Sequence, residues 1–251
     1  MPSRNSVVKV DALGLHYREL NARLRELVSE GARHIEIHNV YGQRYIGTDL
    51  GAPVLIDIYG TPGNDLGAFM DGPSLVVHGN AQDGCGNTMN EGQIVVHGHA
   101  GDILGLSMRG GKIFVKEDVG YRVGIHMKEY KEKVPQVVIG GTAQDFLGEY
   151  MAGGILIVLG LNLKPGERHK ANFIGTGMHS GVIFLRGEVA PYQLGKEVRV
   201  AQPNEAEQAK LGALVTEFAQ HFGLDPVSIL AAPFTKLYPL YLRPYGRLYT
   251  P

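Results

Sequence analysis

The chain has 251 residues and a formal net charge of -1, from 24 basic and 25 acidic side chains. That balance gives no general attraction for nucleic acid or an acidic membrane. No apolar run reaches a membrane span, and "MPSRNSVVKV" lacks an apolar signal-peptide core, so a cytoplasmic protein is expected. The single cysteine, Cys85, excludes a disulfide framework within the chain and any four-thiolate iron–sulfur or zinc site.

Residues 1–34 read as an N-terminal helical arm. Leu20, Leu24, Leu27 and Val28 fall on one face of a helix over 16–29 that ends at Gly31. The chain's 35 glycines are about twice the usual share, and from 35 to 190 they keep a period. Gly47, Gly67, Gly86, Gly105 and Gly124 are 20, 19, 19 and 19 residues apart, and Gly148 and Gly175 follow at 24 and 27, the same period with insertions. Three residues after each stand Leu50, Met70, Met89, Met108, Met127, Met151 and Met178, so every methionine except the first occupies one repeat position. A fixed period of this size means stacked units.

Between the glycines lie short apolar runs such as "SLVVHG", "QIVVHG", "KIFVKE" and "VIFLRG", which read as buried strands. No segment between them is long enough for a crossover helix. The fold class is therefore an all-β core, a parallel β-helix of about seven 19-residue coils stacked at about 4.8 Å, with flanking N- and C-terminal α-helices. Met and Ile/Leu/Val form interior columns, and the repeated glycine supplies a corner. Residues 191–251 complete the chain. Asn204 and Glu207 make a capping box for a helix over 204–222 with a stripe of Leu211, Leu214, Val215, Phe218 and Phe222. Asp225 and Pro226 open one more short helix. The Tyr/Pro-rich tail from Phe234 is expected to dock in an extended form.

The three apolar residues of each strand carry a further implication. If the first and third point inward, the middle column of Val76, Val95, Phe114, Val138, Ile157 and Phe184 points out, and a sheet apolar on both faces must be covered on both. The helix at 204–222, the helix at 16–29, the tail or another subunit could lie there. The chain's own helices are expected to cover part, with the remainder at a complex or homo-oligomer interface.

Candidate chemistry is sparse. "GTGMHSG" and "LSMRGGKI" superficially resemble nucleotide loops, but each is a copy of the repeat and neither has the required spacing or flanking residues. His78 and His97 share a repeat position with Lys116, which reads as a polar ladder and not as a metal site. Asp83, Asp102, Asp145, Asn64 and Asn172 form a second ladder, expected to bond local backbone amides. Cys85 sits in the column of Ile46, Leu66 and Leu104 and reads as a small buried hydrophobe. No catalytic, cofactor-binding or metal-ligating residue is assigned.

The repeat itself carries a resemblance. "GDILGLSMRGGKIFV", "GGTAQDFLGEYMAGGILIVLG" and "NFIGTGMHSGVIFLRG" resemble the GXGXG domain of the glutamate synthase large subunit, over about residues 35–190, which implies a right-handed parallel β-helix. The resemblance implies a free-standing β-helix subunit of a split glutamate synthase, without activity alone. Its partners would be a glutamine amidotransferase subunit and an FMN/iron–sulfur synthase subunit, with both cofactors in the partners and none in this chain. Glutamine hydrolysis in that family uses an N-terminal cysteine, and the only cysteine here is Cys85. The alternatives are a scaffold like the third subunit of formylmethanofuran dehydrogenase and an autonomous β-helix hydrolase or lyase.

Overall fold

The computed structural model describes residues 7–164 and 166–240. Strands β1 (Val8–Asp11), β2 (His34–Tyr41), β3 (Leu55–Thr61), β4 (Asp71–Val77), β5 (Glu91–Val96), β6 (Lys112–Val115), β7 (Gln136–Ile139), β8 (Ala152–Val158) and β9 (Ser180–Arg186) follow one another across a single sheet in chain order. Every neighbouring pair among them is parallel. Parallel neighbours joined without crossover helices make each connection one turn of a β-helix. Beyond β9 the sheet ends on two antiparallel strands, β11 (Phe234–Pro239) and then β10 (Val198–Ala201). Helices α1 (Tyr17–Ser29), α2 (Glu205–Phe222) and α3 (Pro226–Leu230) flank the solenoid.

The register is the one the period requires. Val76, Val95, Phe114, Val138, Ile157 and Phe184 face one another in successive strands. At the corners, Gly67, Gly86, Gly105, Gly124, Gly148 and Gly175 each donate to the carbonyl of the residue preceding the glycine one coil back, all at 2.8 Å. The residue after each methionine donates to the methionine one coil back: Asn90 to Met70, Arg109 to Met89, Lys128 to Met108, Ala152 to Met127 and His179 to Met151, at 2.7–2.9 Å. The inserted residues in the two longer coils leave this ladder intact.

The interior is one buried cluster that contains Met70, Met89, Met108, Met127, Met151 and Met178 together with Cys85 and the inward residues of the strands. Gly148 shows what the repeat glycine does. Its φ is +67°, and a β-carbon there would stand 2.6 Å from the Ile183 Cδ1 atom, so the absent side chain admits the inward residue of the following coil. From the sequence one left-handed residue per corner is expected; the structure has three. Residues two before and two after each repeat glycine also have positive φ. Of these fourteen positions only Gly84 and Gly177 are glycine, while Tyr45, Phe69, Ile103, Arg122, His126, Phe146, Tyr150 and Phe173 are among the others. An L-residue held there costs roughly 1–2 kcal/mol. The alternation of three left-handed residues with ordinary ones winds the corner tightly enough to close a 19-residue coil.

Both ends of the rod are closed by the chain itself. Residues 1–34 are more than a helical arm, because β1 pairs with β2 as the first strand of the sheet. His16 caps α1, and Leu20, Leu24 and Leu27 join the interior cluster, so this helix plugs the first coil and does not cover the outer wall. Asn21 fixes it by donating to the Arg44 carbonyl at 2.8 Å. At the other end the residues from Phe234 to Pro239 are a strand of the sheet, a stronger tie than surface docking, and Leu237 closes the core there. The remainder of the tail, 241–251, lies outside the described residues.

The outer wall is covered by α2. Its capping box forms as the sequence pattern requires, with Asn204 Oδ1 taking the Glu207 N–H at 2.9 Å. Leu211, Leu214, Val215 and Phe218 form a second buried cluster with Val95, Phe114, Val138, Ile157 and Phe184, joined by Ile229 of α3 and Phe234. Only Val76, at the edge of the helix's reach, is partly exposed. The doubly apolar strands thus have an intramolecular explanation, and burying the middle column on both sides contributes about 1.5–3 kcal/mol for each large side chain.

Candidate functional site

Three ladders of polar or aromatic side chains run along the rod outside its core. The first is the Asx ladder. Asp83 Oδ1 accepts the Asp102 N–H at 2.8 Å, Asp102 Oδ1 accepts the Tyr121 N–H at 2.8 Å, and Asp145 Oδ1 accepts both the N–H and the side-chain amide of Asn172 at 2.8 and 3.0 Å. The expected backbone bonding is present, but the amides belong to the next coil and not to the local turn. Nineteen residues of sequence separation become one interstrand spacing, which brings the next coil's N–H nearer than the local ones. Asp118 follows the same rule. Burial works to raise its pKa, but hydrogen bonds from the Thr142 N–H, the Asn162 amide and the Thr142 hydroxyl hold the carboxyl below its ordinary range.

The second ladder lies where the strands leave α2's cover. His38, Tyr59, His78 and His97 stack ring on ring at 4.6, 4.4 and 5.4 Å, and Phe222 of α2 meets His97 edge-on at 5.2 Å. Beneath them Asp57 pairs with His34 Nε2 and His78 Nε2, both at 2.7 Å, and Glu36 pairs with His38 and Lys9, both at 3.0 Å. His78 and His97 are recognisable from the period. Tyr59 stands nineteen residues before His78 and keeps the same period, whereas His38 precedes the first repeat glycine, Gly47, and does not. Burial, then the neighbouring His78 and Lys116, push the His97 pKa below its ordinary value. Among the described residues no group of three or more His, Cys, Asp or Glu could hold a metal ion.

The third runs along the corners. Arg122 lies over the Phe146 ring at 4.7 Å and pairs with Glu149, Phe146 stacks on Phe173 at 5.0 Å, and His126 stacks on Tyr150 at 5.4 Å. All of these residues except Glu149 have positive φ. "GTGMHSG" is the seventh corner of this row; its Gly177 N–H is taken by Glu197 at 3.2 Å, so the segment serves the fold.

A groove of about 580 Å³ lies beside the start of β5 and β6, lined by Glu91, Gln93, Lys112, Lys133 and Gln136 among others. Its charges are already paired. Lys133 reaches across to Asp71 at 3.1 Å and Glu91 at 2.9 Å, and Glu217 of α2 takes Lys112 at 2.6 Å and Gln93 at 3.1 Å. Cys85 is fully buried, and burial pushes its thiol pKa up to about 12, which removes the thiolate a nucleophile or metal ligand requires. The repeat residues from Gly47 to Gly175 and from Met70 to Met178 lie at corners and in the core. The chemistry this arrangement supports is recognition by a rigid surface, since its polar groups are largely spent on the neighbouring coil.

No helix among the described residues is long and apolar enough to cross a membrane. The family described as GXGXG motif matches residues 25–243 of the chain. That match extends past 35–190 at both ends and takes in α2, α3 and β11. The chain is also similar to the uncharacterized protein MJ1350 of Methanocaldococcus jannaschii, at 49% identity over 252 residues and 97% of both chains.

Proposed function

The chain belongs to the GXGXG motif family, that of the C-terminal domain of glutamate synthase, and from this premise we propose that it is a non-catalytic scaffold subunit of a glutamate-synthase-like complex. In this reading the rod holds a glutamine amidotransferase subunit, which releases ammonia, against an FMN/iron–sulfur synthase subunit, which consumes it. The assembly works in the cytoplasm. Flavin and clusters belong to the partner, and a single buried thiol at Cys85 could not ligate a cluster in any case.

The observation that carries the reading is where the polar side chains go. Asp83, Asp102, Asp118 and Asp145 are each committed to the next coil, and the interior is filled by Met, Ile, Leu and Val. Such a rod offers shape, rigidity and surface, and among the described residues no nucleophile is paired with a base. The test is affinity purification of the tagged chain from its native host. The reading expects a flavin- and iron–sulfur-containing protein and an amidotransferase with an N-terminal cysteine in the eluate. A molybdenum or tungsten enzyme in their place would move the chain to the formylmethanofuran dehydrogenase type of complex, and turnover by the chain alone would end the scaffold reading.

A further inference from the structure

Between α1 and the first corner of the rod lies a pocket of about 300 Å³, at the lower end of small-molecule sites. It is lined by Tyr17, Arg18, Asn21, Arg25, Tyr45 and Thr48. The helix supplies four of these six. Arg18, Asn21 and Arg25 stand at i, i+3 and i+7 and so share one face, with Tyr17 a turn before Asn21. Tyr17 meets Tyr45 of the corner at 5.7 Å, and the two tilted rings make an apolar wall. The Arg18 guanidinium lies 5.8 Å from the Tyr17 ring.

Three groups of this pocket are uncommitted. Neither Arg18 nor Arg25 takes part in an ion pair among the described residues. The third is the side-chain oxygen of Asn21, a residue only 7% exposed. Its Nδ2 gives both hydrogens away, to the Tyr17 and Arg44 carbonyls, each at 2.8 Å. Two carbonyl partners fix which end of the amide is which and leave Oδ1 without a hydrogen bond among the described residues. Unlike the partnerless atoms of Gln136, His169 and His221, it is not sealed from solvent. Acids stand nearby and keep their charge. Glu19 accepts the His16 N–H at 3.1 Å, Asp65 accepts the Asn87 amide at 2.9 Å, and Asp49 follows Thr48, while Arg44 adds a positive charge. The pocket's preference therefore rests on direct contact with its own side chains and not on a general positive field.

We propose that this pocket binds a nucleoside monophosphate laid along α1. The base rests on the Tyr17–Tyr45 wall beside Arg18, a ribose hydroxyl donates to Asn21 Oδ1, and the phosphate pairs with Arg25. The order follows the helix. From Arg18 to Arg25 the axis rises about 10 Å, with Asn21 between them, so an aromatic end, an acceptor and a guanidinium follow one another along one line. A planar base uses the aromatic wall and stacks with the Arg18 guanidinium, which is also planar. A phosphate dianion takes the fork of a guanidinium in two parallel hydrogen bonds. The buried amide oxygen needs a donor, and a sugar hydroxyl between base and phosphate supplies one. An inorganic anion would satisfy the arginines and leave the wall and the amide oxygen unused. The proposal concerns this chain alone and does not depend on which partners it scaffolds.

The experiment is calorimetric titration of the full chain with AMP, adenosine, ribose phosphate, inorganic phosphate and the dideoxy analogue of AMP. AMP should bind once per chain. Adenosine and ribose phosphate, which lack one end each, should bind about tenfold more weakly or worse. The dideoxy analogue, without both ribose hydroxyls, should bind about fivefold more weakly, because Asn21 Oδ1 loses its donor. Arg25→Gln should bring AMP down to the affinity of adenosine and leave adenosine unchanged. Tyr45→Asn, which tolerates the left-handed backbone there, should weaken AMP and adenosine alike. No heat from AMP at millimolar concentration would overturn the proposal, as would an Arg25→Gln protein that binds AMP like the parent. Inorganic phosphate binding as tightly as AMP would reduce the site to an adventitious anion patch and overturn it too. Arg25 is exposed and unpaired, so its variant should keep the parent melting temperature. If it does not, the ligand comparisons on the parent decide instead, and equal affinities for AMP, adenosine and the dideoxy analogue count against the site.

Discussion

A β-carbon on Gly181 would stand 2.7 Å from the Met151 methyl, so the methionine of one coil fills the space that glycine leaves in the next. The pairing explains why the columns hold Met and Gly together. An unbranched thioether can reach a pocket that Leu or Ile would overfill, and a glycine at φ +85° meets both the steric and the backbone demand. Gly181→Ala should cost about 2–4 kcal/mol, from overpacking and left-handed strain together. Met151→Ala should cost about 2–5 kcal/mol as a cavity in the core. In denaturant melts, the alanine at 181 should cost measurably less when Met151 is already alanine, because the clash partner is gone.

Ile103 gives the opposite sign. It is β-branched and held at φ +52°, where such a residue is a steric outlier, while its side chain is only partly buried. Ile103→Asn should stabilise the fold by about 1 kcal/mol, because Asn tolerates the left-handed region. A lowered melting temperature would mean that the corner contacts of the isoleucine outweigh its strain.

The contact between α2 and the sheet makes a third prediction. Val95→Lys and Ile157→Lys place a charge beneath the helix, among Leu214, Val215 and Phe218. Each should lower the melting temperature sharply, since an unpaired buried ammonium is costly, and Phe218→Ala should cost about 3–5 kcal/mol. Parental melting curves for both lysine variants would show that the wall is open to water.

Stability should also depend on pH. Burial foremost lowers the pKa values of His97, His169 and His221 below the ordinary 6.5. A depressed basic group binds more protons unfolded than folded, so stability is full above the unfolded value and falls as pH drops below 6.5 towards the folded values. His169 donates from Nε2 to the Arg186 carbonyl at 3.0 Å and leaves Nδ1 buried without a partner. The Nε2 of His221 is buried without one too. His221→Leu should therefore flatten the acid limb of a stability-versus-pH curve, and an unchanged limb would put its origin elsewhere.

The burial of Cys85 can be checked chemically. With its thiol pushed up to about 12, the native protein should leave a thiol reagent unreacted near neutral pH and react with one equivalent once unfolded. Rapid labelling of the native protein would contradict the packing of that column.

Much of the fold is legible in the sequence because stacking puts like residues over like. The methionine ladder, the middle apolar column and the capping box of α2 each leave a periodic or local mark. What escapes is whatever breaks the period or depends on distant partners. β1 is four residues with no repeat glycine behind it, and β11 pairs antiparallel with a strand some fifty residues earlier, so neither signals its place in the sheet. The left-handed residues flanking each repeat glycine escape for a different reason, because Phe146, Arg122 and Ile103 are the side chains least indicative of positive φ. Of the surface ladders, Tyr59, His78 and His97 follow the period. The contact of Asp57 with His34 beneath them requires the β2–β3 register, which the sequence leaves open.

The most direct measurement of the scaffold role is the ratio of glutamate formed to glutamine hydrolysed by the amidotransferase and synthase subunits, reconstituted with and without this chain. With it, the two subunits should co-sediment and the ratio should sit at the coupled value. Without it, they should separate and glutamine nitrogen should escape as free ammonia. Equal assembly and equal coupling in both preparations would contradict the account.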